Sequence, residues 1–239
     1  MVEIDFQRKK TTVPINIVLS GINEFYNDLK SDENARYLSW EHCYKAFQEA
    51  YNRAALTVND MDYLSLHLAF YLASWGMLRG SSFLLQKDYR VHLDIIKELY
   101  KPCYNNLWGI DCIELQKQQN LQILMKLIEN LKNIYNQKRS NIKEVHTSIS
   151  NILVTKVLLG TLGCVPAYDQ YFKNGIGKYN ITVQLFGETS IIGLAKYYEE
   201  NKTELENIRK IISKSRQIGY PQMKILDMAF WKLGFEKNN

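Results

Sequence analysis

The sequence predicts an all-α protein, and two observations support this. Its 239 residues include only 12 Gly and 4 Pro, whereas sandwiches and barrels of many short strands need frequent turns. Apolar residues recur at spacings of three and four, the period of an amphipathic helix. We expect a compact multi-helix domain over residues 1–239. Two helical lobes (14–137 and 147–239) with a cleft between them, preceded by an arm at residues 1–13, remain an open possibility.

The first two helices follow from amphipathic patterning. Residues 15–29 have one apolar stripe, begin after Pro14, and end at the polar run SDENAR. Ser39 is a good N-cap residue, and the apolar stripe that follows it, from Trp40 to residue 54, lies opposite a polar face. Each of these helices is expected to pack by one face.

The third helix has a different pattern, because residues 61–78 (MDYLSLHLAFYLASWGML) are apolar almost all round. Such a helix is normally buried on most sides. We therefore expect it to be central, to be capped by Asn59 or Asp60, and to bring His67 into the interior together with Ser65 and Ser74. A turn and one or two further helices should follow before Pro102.

The second half of the chain gives clear helix boundaries. An apolar face marks a helix over residues 115–137, and dense basic residues follow it. The remaining signals are Thr147 or Ser148 as the cap of the next helix, Gly163 as its end, Pro166 as the first residue of another, Thr203 with Glu206 as a capping box, and Pro221 and Gly234 as the limits of the last helix. A short extended piece at residues 179–183 is the one strand signal.

Composition excludes several classes of function. Cys43, Cys103, Cys112 and Cys164 form no C-x-x-C pair and lie apart from the four histidines, which argues against a zinc site. The loop NGIGKYN lacks the spacing of a Walker motif. No charge-free apolar run approaches about 18 residues, so no membrane span is expected. The formal charge of +5 permits a nucleic-acid partner. We expect a cytoplasmic protein with free thiols and no cofactor, and the oligomeric state stays open.

One charged side chain is anomalous. Lys156 lies in the apolar segment SISNILVTKVLLGTLG, and a buried ammonium without a partner costs several kcal/mol or lowers its pKa. If the chain turns back at Gly163, Lys156 and Asp169 reach comparable heights in an antiparallel hairpin, at about 1.5 Å of helix per residue. The pair is then either a structural ion pair or an amine and a carboxylate poised for chemistry.

The stretch TKVLLGTLGCVPAYDQYF, residues 155–172, resembles the core of the helix-hairpin-helix DNA glycosylases. In the oxoguanine-type branch a T-K-V run contains the Schiff-base lysine and a V-P-x-D element contains the catalytic aspartate. Thr155, Lys156 and Val157 match the first element. Val165 and Pro166 begin the second, with one extra residue before Asp169. The segment before the lysine reads SISNILV, where the family has a Gly-rich hairpin.

The resemblance implies removal of a modified or damaged base from DNA. The target nucleotide would be flipped into a pocket, with Lys156 attacking the sugar C1′ and Asp169 assisting. Nucleic-acid contacts are expected from Arg79, Tyr168, Tyr171, Lys173 and Lys178, and Trp75 or Trp231 could stack on the base.

Two other interpretations remain open. Arg36–His42 and Arg139–His146 each fit the loose R-x(4–6)-H pattern of HEPN-type ribonucleases, which cleave RNA without a metal at a dimer interface. The chain could also be a non-enzymatic helical interaction module in which the Lys156–Asp169 pair is purely structural.

Overall fold

The structure, a computed structural model, describes residues 13–53, 55–80, 82–139 and 148–235. These residues form helices and connecting turns without any strand, as the sequence predicts. The helices are α1 (Ile15–Lys30), α2 (Leu38–Tyr51), α3 (Val58–Ser74), α4 (Leu93–Leu99), α5 (Cys112–Leu115), α6 (Gln118–Arg139), α7 (Asn151–Thr161), α8 (Gln170–Lys178), α9 (Glu188–Glu200), α10 (Lys202–Arg216) and α11 (Gln222–Phe235). Three short 3₁₀ helices lie at Phe83–Gln86, Tyr89–His92 and Pro102–Leu107.

One continuous hydrophobic core includes side chains from α1 to α11. It therefore draws on both predicted lobes. Division of the chain into lobes stays a prediction, because the suggested boundary overlaps residues 140–147, which lie outside the described residues. Nearly all of the predicted N-terminal arm also lies outside them. No helix in the described ranges has the length and apolarity needed to cross a bilayer.

The central helix is α11, and the prediction that α3 is central was wrong. Every residue of α11 from Gln222 to Trp231 is buried. On α3, by contrast, Tyr63, Leu66 and Phe70 are each more than half exposed. Apolar residues occur on all sides of both helices, so the sequence pattern alone could not tell which of the two is enclosed by neighbours.

Close packing between α8 and α11 depends on two glycines. A Cβ atom on Gly175 would lie 1.9 Å from the carbonyl oxygen of Phe230, and one on Gly234 would lie 1.9 Å from the carbonyl oxygen of Tyr171. Neither position has room for a methyl group, so glycine at both positions lets the two backbones touch. The N-terminus of α8, where Asp169 lies, is thereby fixed against the central helix.

Several predicted helix boundaries differ from the structure. Thr57, with Asp60 as the reciprocal partner, caps α3 in a capping box, whereas the predicted box at Thr203 is absent because α10 begins at Lys202 without a side-chain cap. Ser150, not Thr147 or Ser148, caps α7. Ser39 lies inside α2, and residues 179–183 form a turn and a bend instead of a strand.

Pro166 does not begin a helix. Residues 162–169 form a connection between α7 and α8, and α8 begins at Gln170 with Asp169 as its N-cap. Gly163 adopts a φ of +70° directly after α7, which is the left-handed conformation that glycine tolerates best. This connection brings the two predicted site residues together.

Candidate functional site

Lys156 is buried in α7, where all side chains from Leu153 to Thr161 are enclosed. Its Nζ donates a hydrogen bond to the backbone oxygen of Trp75 at 2.7 Å and lies 3.4 Å from Oδ2 of Asp169. The side chain of Lys156 is 6% exposed and that of Asp169 is 13% exposed. The predicted ion pair is therefore present, and it is largely shielded from water.

Asp169 has two separate interactions. Its Oδ1 accepts the Phe172 backbone N–H at 3.1 Å and so caps α8, while Oδ2 faces Lys156. A carboxylate at a helix N-terminus is stabilised by the unpaired N–H groups and by the helix dipole. The cap fixes the carboxylate in position beside the amine, so the geometry of the pair does not depend on the pair alone.

Burial lowers the pKa of Lys156 below its usual range, because the charged ammonium is deprived of water. The nearby carboxylate of Asp169 opposes this shift, and Asp227 does so to a lesser degree. Lys156 therefore reaches its neutral, nucleophilic form at a lower pH than an exposed lysine.

Two buried side chains hold the connection that ends in Asp169. Oγ1 of Thr155 accepts the Tyr168 N–H at 3.0 Å, and Oδ1 of Asp227 accepts the Ala167 N–H at 3.0 Å. These consecutive amides lie immediately before Asp169. The residue next to the lysine and a residue of the central helix thus fix the path of the backbone up to the carboxylate.

A cleft of about 710 Å³ opens onto the pair, and both Lys156 and Asp169 line it. One wall is aromatic. Trp75 and Tyr171 each pack edge-to-face on Trp231, at centroid distances of 5.6 Å and 5.5 Å, and Phe235 stacks on the same indole at 5.0 Å. A cleft of this size falls within the range of pockets that bind small ligands.

The described residues that line the cleft have a net positive charge. Arg36, Arg79 and Arg139 line it together with Lys156, and Asp169 is the one acidic side chain among the described residues of its lining. The guanidinium of Arg36 lies over the Trp75 ring, 5.5 Å from its centroid. Anionic ligands are therefore favoured over cations in this cleft.

The structure brings together only part of the predicted nucleic-acid contacts. Arg79 and Tyr171 line the cleft with the lysine pair, but Lys173 and Lys178 do not. The prediction for Tyr168 was wrong. This ring is 1% exposed and its hydroxyl donates to Ser190 at 2.8 Å, so it is a core residue that cannot stack on a base.

Of the two R-x(4–6)-H matches, the structure describes only the first completely, and the histidine of that match does not line the cleft. Arg36 lines the cleft, whereas His42 is exposed and is near His67, whose pKa is lowered by burial and by His42. Arg139 lines the cleft too, but His146 lies outside the described residues. His67 itself is half-buried, not interior as expected.

Sequence reasoning missed a second buried ion pair, formed by Lys224 and Asp227 of α11 at 2.8 Å. Burial raises the pKa of Asp227, although Lys224 opposes that shift. The ammonium of Lys224 lies over the rings of Phe25 and Trp40, 4.8 Å and 4.9 Å from their centroids. A lysine and an aspartate three positions apart in an almost wholly apolar helix were the available signal.

Comparisons of the chain with protein-family profiles, with curated proteins and with solved structures found no match. Within the described ranges, no group of three or more His, Cys, Asp or Glu side chains could hold a metal ion.

Proposed function

We propose that the protein removes a modified or damaged base from DNA, as the resemblance of residues 155–172 to helix-hairpin-helix glycosylases implies. One observation carries the proposal: a buried lysine, paired with a fixed carboxylate, lines a positively charged cleft with an aromatic wall. A nucleophile, a proton acceptor and a stacking surface are the groups that base excision requires.

Lys156 is the nucleophile in this mechanism. Its neutral amine attacks C1′ of the flipped nucleotide, and the glycosidic bond breaks, so that the base leaves with the bonding electrons and takes up a proton. The carboxylate of Asp169, 3.4 Å from the amine, accepts a proton that the nitrogen loses. Opening of the sugar ring, with protonation of its ring oxygen, then gives a Schiff base. Hydrolysis by water regenerates the lysine and leaves an abasic site.

The lowered pKa of Lys156 supports this role, since only the neutral amine has a free electron pair. Asp169 has opposing effects. It favours the ammonium before attack, but it also balances the positive charge that develops on the nitrogen and the sugar during the reaction. The aromatic wall supports the proposal in a different way, because any base can stack on an aromatic face, at about 1–3 kcal/mol per base.

The test is base release from a panel of duplexes, each with one modified base, detected as strand cleavage after alkali. We expect release by the wild type and loss with Lys156→Arg, which keeps the positive charge and the ion pair but provides no usable nucleophile. Lys173→Arg, in α8 outside the cleft lining, is the matched control and should retain activity. Lack of release across the panel contradicts the proposal.

A monofunctional enzyme, in which water attacks C1′, gives a distinguishable result. Lys156→Arg then retains base release, whereas Asp169→Asn abolishes it. If the pair is purely structural, both variants alter stability and neither alters any DNA-dependent reaction.

A further inference from the structure

The arginines of the protein divide into two groups. Seven lie within the described ranges, and four of these form salt bridges, namely Arg53 with Asp60, Arg90 with Asp62, Arg209 with Glu206 and Arg216 with Glu41. The other three are Arg36, Arg79 and Arg139, for which the described residues offer no carboxylate partner. All three line the cleft that contains Lys156.

Arg139 has a buried hydrogen-bond donor that is not satisfied by the described residues. It ends α6 and is partly buried, and its buried Nη1 atom has no hydrogen-bond partner among the described residues. A buried N–H group without an acceptor is costly, and such groups in folded proteins are usually satisfied. Arg139 also lines the cleft, so its guanidinium has donor capacity that the described residues do not use.

The positions of the other two arginines agree with this. The guanidinium of Arg36 lies over the Trp75 ring, and the side chain is exposed, so its N–H groups are accessible to a ligand. Arg79 follows α3, and its Nε lies close to Gly76, only 3.1 Å from where a Cβ on that glycine would be. Both side chains therefore lie beside the aromatic wall, close to where a stacked base would extend.

We propose that Arg36, Arg79 and Arg139 bind the backbone phosphates of the DNA strand whose nucleotide enters the cleft. The planar guanidinium fork matches the geometry of a phosphate and binds it bidentately. The inference deepens the proposed function and rests on it for the identity of the polymer. It also replaces Lys173 and Lys178, which lie outside the cleft lining, as the expected phosphate contacts.

A strand accounts for the cleft better than a small anion does. Three guanidiniums without a carboxylate partner among the described residues exceed what one phosphate needs, and they line the same cleft as an aromatic wall on which a base can stack. One nucleotide of a strand presents both a base and flanking phosphates, so it uses both features.

The experiment measures the affinity for a fluorescent duplex that contains a stable abasic-site analogue, as a function of salt. The plot of log K against log[salt] has a negative slope, and each lost phosphate contact should make that slope less steep by about 0.9. Raising the salt from about 50 to about 200 mM weakens binding by some factor in the wild type. In each of the single variants Arg139→Gln and Arg79→Gln, that factor should be about 3.5-fold smaller. Lys173→Gln and Lys178→Gln, which remove the same charge outside the cleft lining, are the matched controls and should leave the slope unchanged.

Unchanged slopes in the arginine variants, or equal changes in the lysine controls, overturn the phosphate site. So does the absence of DNA binding, or displacement of the duplex by a mononucleotide at an equal nucleotide concentration, which indicates a small-anion site. The proposed chemistry fails separately. If no base is released but the salt dependence of binding becomes less steep in the arginine variants as expected, the phosphate site stands and the proposed role of Lys156 is wrong.

Discussion

Replacing Asp169 by Asn separates the two interactions of this carboxylate. Asn is about as good an N-cap as Asp, so the bond to the Phe172 N–H should survive. The charge opposite Lys156 is lost. Removing one partner of a buried ion pair costs about 3–5 kcal/mol. Because Asp169 is 13% exposed, we expect a loss of about 3 kcal/mol at neutral pH. Asp169→Ala also loses the cap and should cost about 1 kcal/mol more.

The pH dependence makes this prediction specific. The folded-state pKa of Lys156 lies below its unfolded value, so burial of the ammonium destabilises the fold at low pH and this penalty is relieved as pH rises towards about 10.5. Asp169→Asn lowers that pKa further and enlarges the penalty. The deficit of the variant should therefore be largest near neutral pH and shrink once Lys156 is neutral in both proteins.

Urea unfolding at pH about 7 and about 10.5 measures both effects. Asp88→Asn is the control, because Asp88 also accepts a backbone N–H at a helix start but is exposed and away from the cleft lining. Its effect should be small at both pH values. A deficit for Asp169→Asn that is independent of pH, or equal to that of Asp169→Ala, would show that the charge of Asp169 does not stabilise Lys156.

Three further predictions concern the surroundings of the site and the core. Thr155→Val leaves the Tyr168 N–H buried without its acceptor and should lower the free energy of unfolding by about 1–3 kcal/mol, whereas Thr155→Ser should retain most of it; equal losses in urea titrations would count against this bond. Gly163→Ala combines a left-handed φ with a Cβ 2.3 Å from Pro221 and should cost more than about 1 kcal/mol, so an unchanged melting temperature contradicts the close contact. Burial lowers the pKa of His92 to about 3, so its ring should stay neutral in NMR titrations from pH about 8 to about 5. The free energy of unfolding should fall as pH drops from about 6.5 towards 3. A titration midpoint of the His92 ring near about 6.5 would show that the ring is solvated.

The helical fold and the ion pair could be predicted from sequence because both follow from local rules. Helical periodicity is visible in short windows, and a lone lysine in an apolar helix requires a partner. The structure contains the expected pairing of Lys156 with Asp169, although the local structure expected around Asp169 was wrong. Pro166 begins no helix, and Asp169 reaches the lysine as the cap of α8.

What could not be predicted depends on long-range packing. Tyr168 and Tyr171 are three residues apart, but one is enclosed by the core and the other lines the cleft. Which of α3 and α11 is central is decided by their neighbours. The meeting of Arg36, Arg79 and Arg139 at one cleft joins segments more than 40 residues apart, and no local pattern marks it.

Reductive trapping followed by peptide mapping tests directly whether Lys156 is the nucleophile that forms the Schiff base. The protein is incubated with DNA that contains an abasic site, borohydride is added, and the position of the sugar adduct is read by mass spectrometry. We expect an adduct on Lys156, the buried lysine that lines the cleft. An adduct confined to other lysines, or an equal yield from Lys156→Arg, contradicts it.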